Sequence, residues 1–391
     1  MPWRGEPVTR VGLARCPSYA TGAVEAAVRQ AVESSGGLPM APGDRVLLKV
    51  NALRAALPER GVSTHPEVVR AMIRLVRDAG GVPWVGDSSG GATGGRARTR
   101  AALEATGIEA VTREEQAILV NLDAGGIVEV ESQCGLVDRI RVARAVLEAD
   151  LVVSMAKLKT HGLTLMTGAI KNMLGVVPGL GKTGFHRIAP KPSDFAALLV
   201  EVFRVSRARY GLMDAVEAME GMGPSLGTLK PARLILGSQD CVALDAVCCS
   251  IMGLRPGRVH TSVIAAGRGL GVNDLDHIDT PGADLSEVRR CVGPFRLPPT
   301  GFLERVPERL GRLVVSLVES RLEVDEARCR QCGMCEASCP AGAMHRHGRG
   351  IAIDPGRCIK CLCCQELCPE EAVRVEPVGL WAKARRAWSR I

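Results

Sequence analysis

Two cysteine runs near the end of the 391-residue chain constrain its fold more than any other feature. From Cys329 the chain reads C-R-Q-C-G-M-C-E-A-S-C-P, and from Cys358 it reads C-I-K-C-L-C-C-Q-E-L-C-P; both are C-x2-C-x2-C-x3-C-P. The offsets 358−329, 361−332, 364−335 and 368−339 all equal 29, and Asp325/Asp354 and Pro340/Pro369 keep that interval, so the segment is an internal duplication. Nine of the fifteen cysteines lie between Cys329 and Cys368. The opening MPWRGEPVTR lacks the apolar run of a signal peptide, and no stretch approaches the roughly 18 apolar residues of a membrane span. A reducing, cytoplasmic location is therefore expected, where clustered thiols act as metal ligands rather than disulfides.

Over about residues 321–377 the duplicated runs resemble the bacterial-type ferredoxin, a small α+β module with two [4Fe-4S] clusters. Three cysteines at this spacing curl around three corners of an iron–sulfur cube and do not readily reach the fourth, so each run's last cysteine is expected on the other cluster. One cluster then takes Cys329, Cys332, Cys335 and Cys368, and the other takes Cys358, Cys361, Cys364 and Cys339. Cys363 stands where the first run has Met334 and is expected to be a packing residue. Structural zinc also uses short C-x2-C pairs but has no need of two three-plus-one runs. The formal net charge of +8 counts every thiol as neutral; two filled clusters bring it down by about 4. With only 3% aromatic residues as well, the chain lacks the basic, stacking-rich composition of a nucleic-acid binder, and no nucleic-acid partner is expected.

The larger part, residues 1–293, alternates apolar runs with helical patterns. Strands are expected at Val46–Val50, Val82–Val85, Ala117–Leu122, Leu151–Met155 and Arg233–Leu236, with helices near Ser193–Arg207 and Val242–Met252. Thr64-His65-Pro66-Glu67 reads as a capping box opening a helix that runs to Gly80-Gly81. The alternation predicts a layered α/β domain with a partly parallel sheet. Residues 294–320 are expected to form a linker and connecting helix, 321–377 the ferredoxin module, and 378–391 a basic amphipathic tail that lies on an anionic membrane surface, docks a partner or packs on its own protein.

Three segments are expected as ligand loops beyond strand ends. In the first, Gly86–Gly95, the backbone at Gly90 and Gly91 with Arg96, Arg98 and Arg100 behind it suits an anion, although G-x-G-x-x-G is absent. The second carries Lys157, Lys159, His161, Lys171, Lys182 and His186 among glycines. Gly181-Lys182-Thr183 is no P-loop, since Val176 stands where a glycine is required. Cations and imidazoles so clustered point to an anionic substrate, with Lys159, His161, Lys171 and His186 as catalytic candidates and Gly90, Gly91, Lys157 and Lys182 as binding candidates. The third gathers Asp214, Glu217, Glu220, Asp240 and Asp245, suited to bind a metal or to position the lysines, with Asp240 equally suited to a helix cap. Cys16, Cys134, Cys241, Cys248, Cys249 and Cys291 have no ligand spacing and are expected to be small buried hydrophobes.

The strings K-L-K-T-H-G, K-N-M-L-G-V, G-K-T-G-F-H, D-A-V-E-A-M-E-G-M-G-P-S-L-G and S-Q-D-C-V-A-L-D resemble the domain of unknown function 362 family over about residues 40–270. That resemblance implies an α/β fold with a C-terminal ferredoxin module, and no settled reaction. In outline only, Lys157, Lys159, His161, Gly179-Leu180-Gly181-Lys182 and His186 are similar to the cofactor-lining segments of the nickel-pincer lactate racemase group. Three functions follow as expectations. The first is a reductase relaying low-potential electrons through two [4Fe-4S] clusters to an anionic small molecule, with a donor or acceptor protein as redox partner. The second is a non-catalytic electron carrier or assembly protein. The third is a redox-neutral isomerase with an additional metal at His161 and His186.

Overall fold

The computed structural model describes residues 9–90, 95–179, 181–298, 319–348 and 350–378. Gly91, nearly all of the expected connecting helix and the 379–391 tail lie outside the described residues. Among them, the N-terminal part is built on an eight-stranded sheet. Its spatial order is Gly12–Arg15, Thr228–Ser238, Ala208–Glu220, Leu151–His161, Arg45–Lys49, Val82–Asp87 and Ile118–Asn121, with Leu165–Thr167 folded back on Leu151–His161. The five strands from Ala208–Glu220 to Ile118–Asn121 are parallel; the other pairings are antiparallel. Helices cover both faces, so each face buries its own apolar cluster: Leu47, Val152 and Met213 belong to one, Val46, Leu48 and Val153 to the other. A strand buried on both faces needs a nearly continuous apolar run, which is what Arg45–Lys49 and the start of Leu151–His161 supply.

Three local expectations are corrected. Lys157, Lys159 and His161 are not beyond a strand end but within it, because Leu151–His161 continues to its last residue with all eleven positions buried; polar side chains enter such a strand only when partners await them. Asp214, Glu217 and Glu220 likewise lie on the strand Ala208–Glu220 rather than in a loop. The helix Pro66–Asp78 is capped by His65, whose Nδ1 accepts from the Glu67 amide at 3.2 Å. Thr64 is unavailable as a cap because its hydroxyl accepts from Asn51 N and donates to Met155 O.

The cysteine module consists of two antiparallel strand pairs, Glu319–Val324 with Val373–Val378 and Met344–His347 with Gly350–Ile353, and two short helices, Met334–Ala337 and Cys363–Leu367. It is docked on the larger part. Arg54 pairs with Glu371 at 3.1 Å, and Arg60 contacts the same carboxylate. A β-carbon on Gly90 would come within 2.7 Å of Leu367, so this glycine admits the module's second helix. Cys16, Cys241, Cys248 and Cys249 are buried as expected, whereas Cys134 is half-buried and Cys291 is exposed on the outer side of the helix Leu285–Val292.

Candidate functional site

Beyond the carboxyl ends of the parallel strands, a cavity of about 70 Å³ is lined from the sheet by Lys49 and Lys159, from the segment after it by Lys171 and Asn172, and from the module by Glu366. Each cation has a different circumstance. Lys49 forms a buried ion pair with Asp87 at 2.8 Å and donates to Val50 O and to Asn172 Oδ1. Lys159 donates to Asn51 Oδ1 at 2.9 Å and to Val62 O, two neutral acceptors. Burial, together with Lys171 and Lys157 nearby, lowers its amine to about 7. Lys171, half-buried, makes no hydrogen bond or ion pair among the described residues; burial lowers it as well, opposed by Glu366 and Cys363. It is the cation left for a guest.

His161 receives the amides of Leu163 at 3.0 Å and Thr164 at 3.4 Å on Nδ1, which assigns the ring proton to Nε2. Nε2 stands 3.0 Å from Glu366 Oε1, off the line of a good hydrogen bond. Burial and the neighbouring Lys171 push His161 down to about 4, so it is neutral at pH 7. His161 is therefore not an imidazole that titrates in the ordinary range near 6.5. His186, lowered by burial to about 4, stacks on Phe195 with ring centroids 4.1 Å apart. Burial alone would raise Glu366, but His161, Lys171 and His186 outweigh it and hold the carboxyl down at about 2.

Two binding candidates are committed elsewhere. Lys157 pairs with Asp214 at 3.0 Å, both side chains almost fully buried, and donates to Tyr19, which itself donates to Asp214. Lys182 donates to the carbonyls of Ser88 and Ser89 and so holds the segment leading to Gly90, which does line the cavity. The third group of carboxylates does not converge. Asp240 caps the helix Cys241–Ile251, Asp245 accepts from the Ala169 and Ile170 amides, and Glu220 pairs with Arg296. Lys49, Asn51, Asn172 and Glu366 were missed by sequence reasoning. Only Lys49 carried a signal, a lone charge inside the apolar run Val46–Val50.

In the module, one cavity is ringed by Cys329, Cys332, Cys335 and Cys368, and a second by Cys339, Cys358, Cys361 and Cys364. The duplication extends to hydrogen bonding: Ala343 N donates to Cys339 Sγ at 3.1 Å and Ala372 N to Cys368 Sγ at 3.3 Å, again 29 residues apart (372−343). The first cavity has four thiols on its wall and the second has five, Cys363 being the fifth, and with an amide on one sulfur of each expected set they suit [4Fe-4S] cubes; a resident cluster supplies one-electron storage. Cys363, expected to be a packing residue, adjoins Cys361 and stands on the wall of the second cavity as well.

The family model described as Domain of unknown function (DUF362) matches residues 46–250, and a 4Fe-4S dicluster domain matches residues 321–369. The chain belongs to the DUF362 family. This DUF362 protein is an iron–sulfur protein whose family region carries the cationic cavity and whose dicluster domain closes it. It is 35% identical over 269 residues to "Thylakoid-associated protein sll1697" of Synechocystis, covering 68% of this chain and 81% of that one. It also resembles the lactate racemase apoprotein from Thermoanaerobacterium thermosaccharolyticum, with a TM-score of 0.41 and 12% identity, over 64% of this chain and 58% of that one. No helix among the described residues is long and apolar enough to cross a membrane.

Proposed function

We propose that this protein is a reductase that passes single electrons from its clusters to a small anionic substrate in the Lys49–Lys171 cavity. One observation carries the reading: Glu366, two positions after Cys364 in the Cys363–Leu367 helix, lines the same cavity as Lys159 and Lys171. The clusters and the cationic site thus share a wall. A substrate carboxylate or phosphate is held by Lys171, the cation without a partner among the described residues, while the Lys49–Asp87 pair and Asn172 keep the floor rigid. As negative charge arrives, the proton comes from Lys159 Nζ, whose amine lies near 7 and is therefore poised to give one up. Neutral His161 sets its Nε2 3.0 Å from Glu366 Oε1 and so helps to keep that carboxylate in place. The proton donor proposed is Lys159 in preference to the histidines, and Lys157 and Lys182 are positioning residues. The redox partner is a low-potential donor protein, in a cytoplasmic setting.

A metal held by His161 and His186 is disfavoured, since Nδ1 of His161 is taken by two amides and its Nε2 faces Glu366. The test is anaerobic. Dithionite-reduced, fully loaded protein is mixed with a set of small carboxylates and phosphates, and reoxidation is followed by the visible absorbance of the clusters. At least one anion should reoxidise wild type, and Lys171→Met should slow that reaction by about tenfold or more at unchanged iron content. Reoxidation by none of them, or at equal rates in the variant, would sink the proposal.

A further inference from the structure

A larger cavity, about 220 Å³, lies on another side of the junction between the two parts of the chain. Its floor is apolar, with Leu165, Ala196 and Leu362 contributing. Its edge carries Arg258, His260 and Lys360, all exposed, and none of the three has an ion-pair partner among the described residues. No carboxylate among the described residues lines it. Thr261 also lines it, and its hydroxyl makes no hydrogen bond among the described residues, so it is available to a guest. Cations without ion-pair partners among the described residues around an apolar floor leave an anion with a flat apolar body as the complementary guest.

The duplication supplies an independent sign. Position 333 in the first cysteine run is a glycine with φ +74°, and its counterpart 29 residues on (362−333) is Leu362 with φ +66°. Glycine adopts that backbone without strain and leucine does not. The side chain retained there is 6% exposed and lines both this cavity and the one ringed by Cys339, Cys358, Cys361 and Cys364. Lys360, its neighbour in the same loop, borders both as well.

From these features we infer that the cavity is a second ligand site, distinct from the Lys171 cavity, for a small aromatic anion: a planar ring system bearing a phosphate, sulfonate or carboxylate group. The ring lies on Leu165, Ala196 and Leu362, the anionic group meets Arg258, His260 and Lys360, and Thr261 supplies a hydrogen bond. A guest there rests against the loop between Cys358 and Cys361, next to the second cluster.

The probe is oxidised flavin mononucleotide, titrated anaerobically against as-isolated, cluster-loaded protein so that no electron moves, with flavin fluorescence as readout. Saturable quenching is expected. Ala196→Trp, which fills the floor, and the double variant Arg258→Ala/Lys360→Ala should each weaken binding by about tenfold or more at unchanged iron content, whereas Lys171→Met should leave it unaltered. The inference is overturned by failure to saturate, by wild-type affinity in the floor and edge variants, or by loss of binding in Lys171→Met, which would put the flavin in the other cavity. Inorganic phosphate competing as effectively as the flavin would also overturn it, since the apolar floor would then contribute nothing.

Discussion

Replacing Gly175 by alanine tests whether the floor of the cationic cavity is as tightly built as it looks. Gly175 lies in the turn Met173–Val176, and a β-carbon there would overlap Asp87 Oδ1 and stand 2.5 Å from Lys49 Nζ and 2.7 Å from Lys49 Cε. Neither partner can step aside cheaply. Asp87 accepts from the Ala52 amide at 2.7 Å and the Ser88 amide at 2.8 Å, while Lys49 is tied to Val50 O and Asn172. Overpacking costs about 1–3 kcal/mol. Removing one partner from a buried ion pair costs about 3–5 kcal/mol, and parting the pair forfeits a fraction of that. Set against a backbone gain of about 0.5–1 kcal/mol for losing a glycine, the net destabilisation should be about 2–4 kcal/mol. The assay is urea unfolding of the loaded protein followed by far-ultraviolet circular dichroism, with Gly184→Ala as control. A β-carbon at Gly184, in the helix Gly181–Ile188, would meet nothing within 4 Å, so this variant should be neutral or slightly more stable. A midpoint for Gly175→Ala at or above that of wild type would refute the reasoning.

Cys368→Ser should damage the cluster bound by Cys329, Cys332 and Cys335 and spare the one on Cys358, Cys361 and Cys364, and Cys363→Ser should leave the iron content unaltered; spectroscopy resolving the two clusters checks both. Lys157→Met should destabilise by about 3–5 kcal/mol by leaving the Asp214 carboxylate buried without its charge partner, read in the same urea assay; a loss under about 1 kcal/mol would contradict it. For pH, burial lowers Lys159 from an ordinary 10.5 to about 7, so between those values the unfolded chain holds a proton that the folded one lacks. Stability of wild type relative to Lys159→Met should therefore rise with pH across that window, by up to about 1.4 kcal/mol per unit, and a flat difference between pH 7 and pH 9 would refute it. His161 and His186, both lowered by burial from 6.5 to about 4, should in turn cost stability as pH falls from 6.5 towards 4, and His161→Gln should flatten that loss.

The cysteine duplication, the alternation of strands and helices, and the gathering of Lys159, His161, Lys171 and His186 near one sheet end were legible in the chain itself. Spacing within one turn or one strand is a short-range property: residues two or three apart have few ways to be arranged, so cysteine runs and strand starts can be read without knowledge of the rest. What each cation does was not legible. Lys157, Lys171 and Lys182 look alike as residue types, yet Asp214 neutralises the first, the Ser88 and Ser89 carbonyls occupy the third, and of the three Lys171 faces the cavity with no partner among the described residues. Thr64 lost its expected cap to His65 for the same kind of reason, a hydroxyl taken by a distant strand. The decisive juxtaposition sets Glu366 beside Lys171, 195 positions apart (366−171), across the seam between the cysteine module and the sheet. Local sequence determined where the cysteines cluster and which residues carry charge. Only tertiary packing decided which charges cancel and which remain open, because burial and pairing are set by whichever remote segments come into contact.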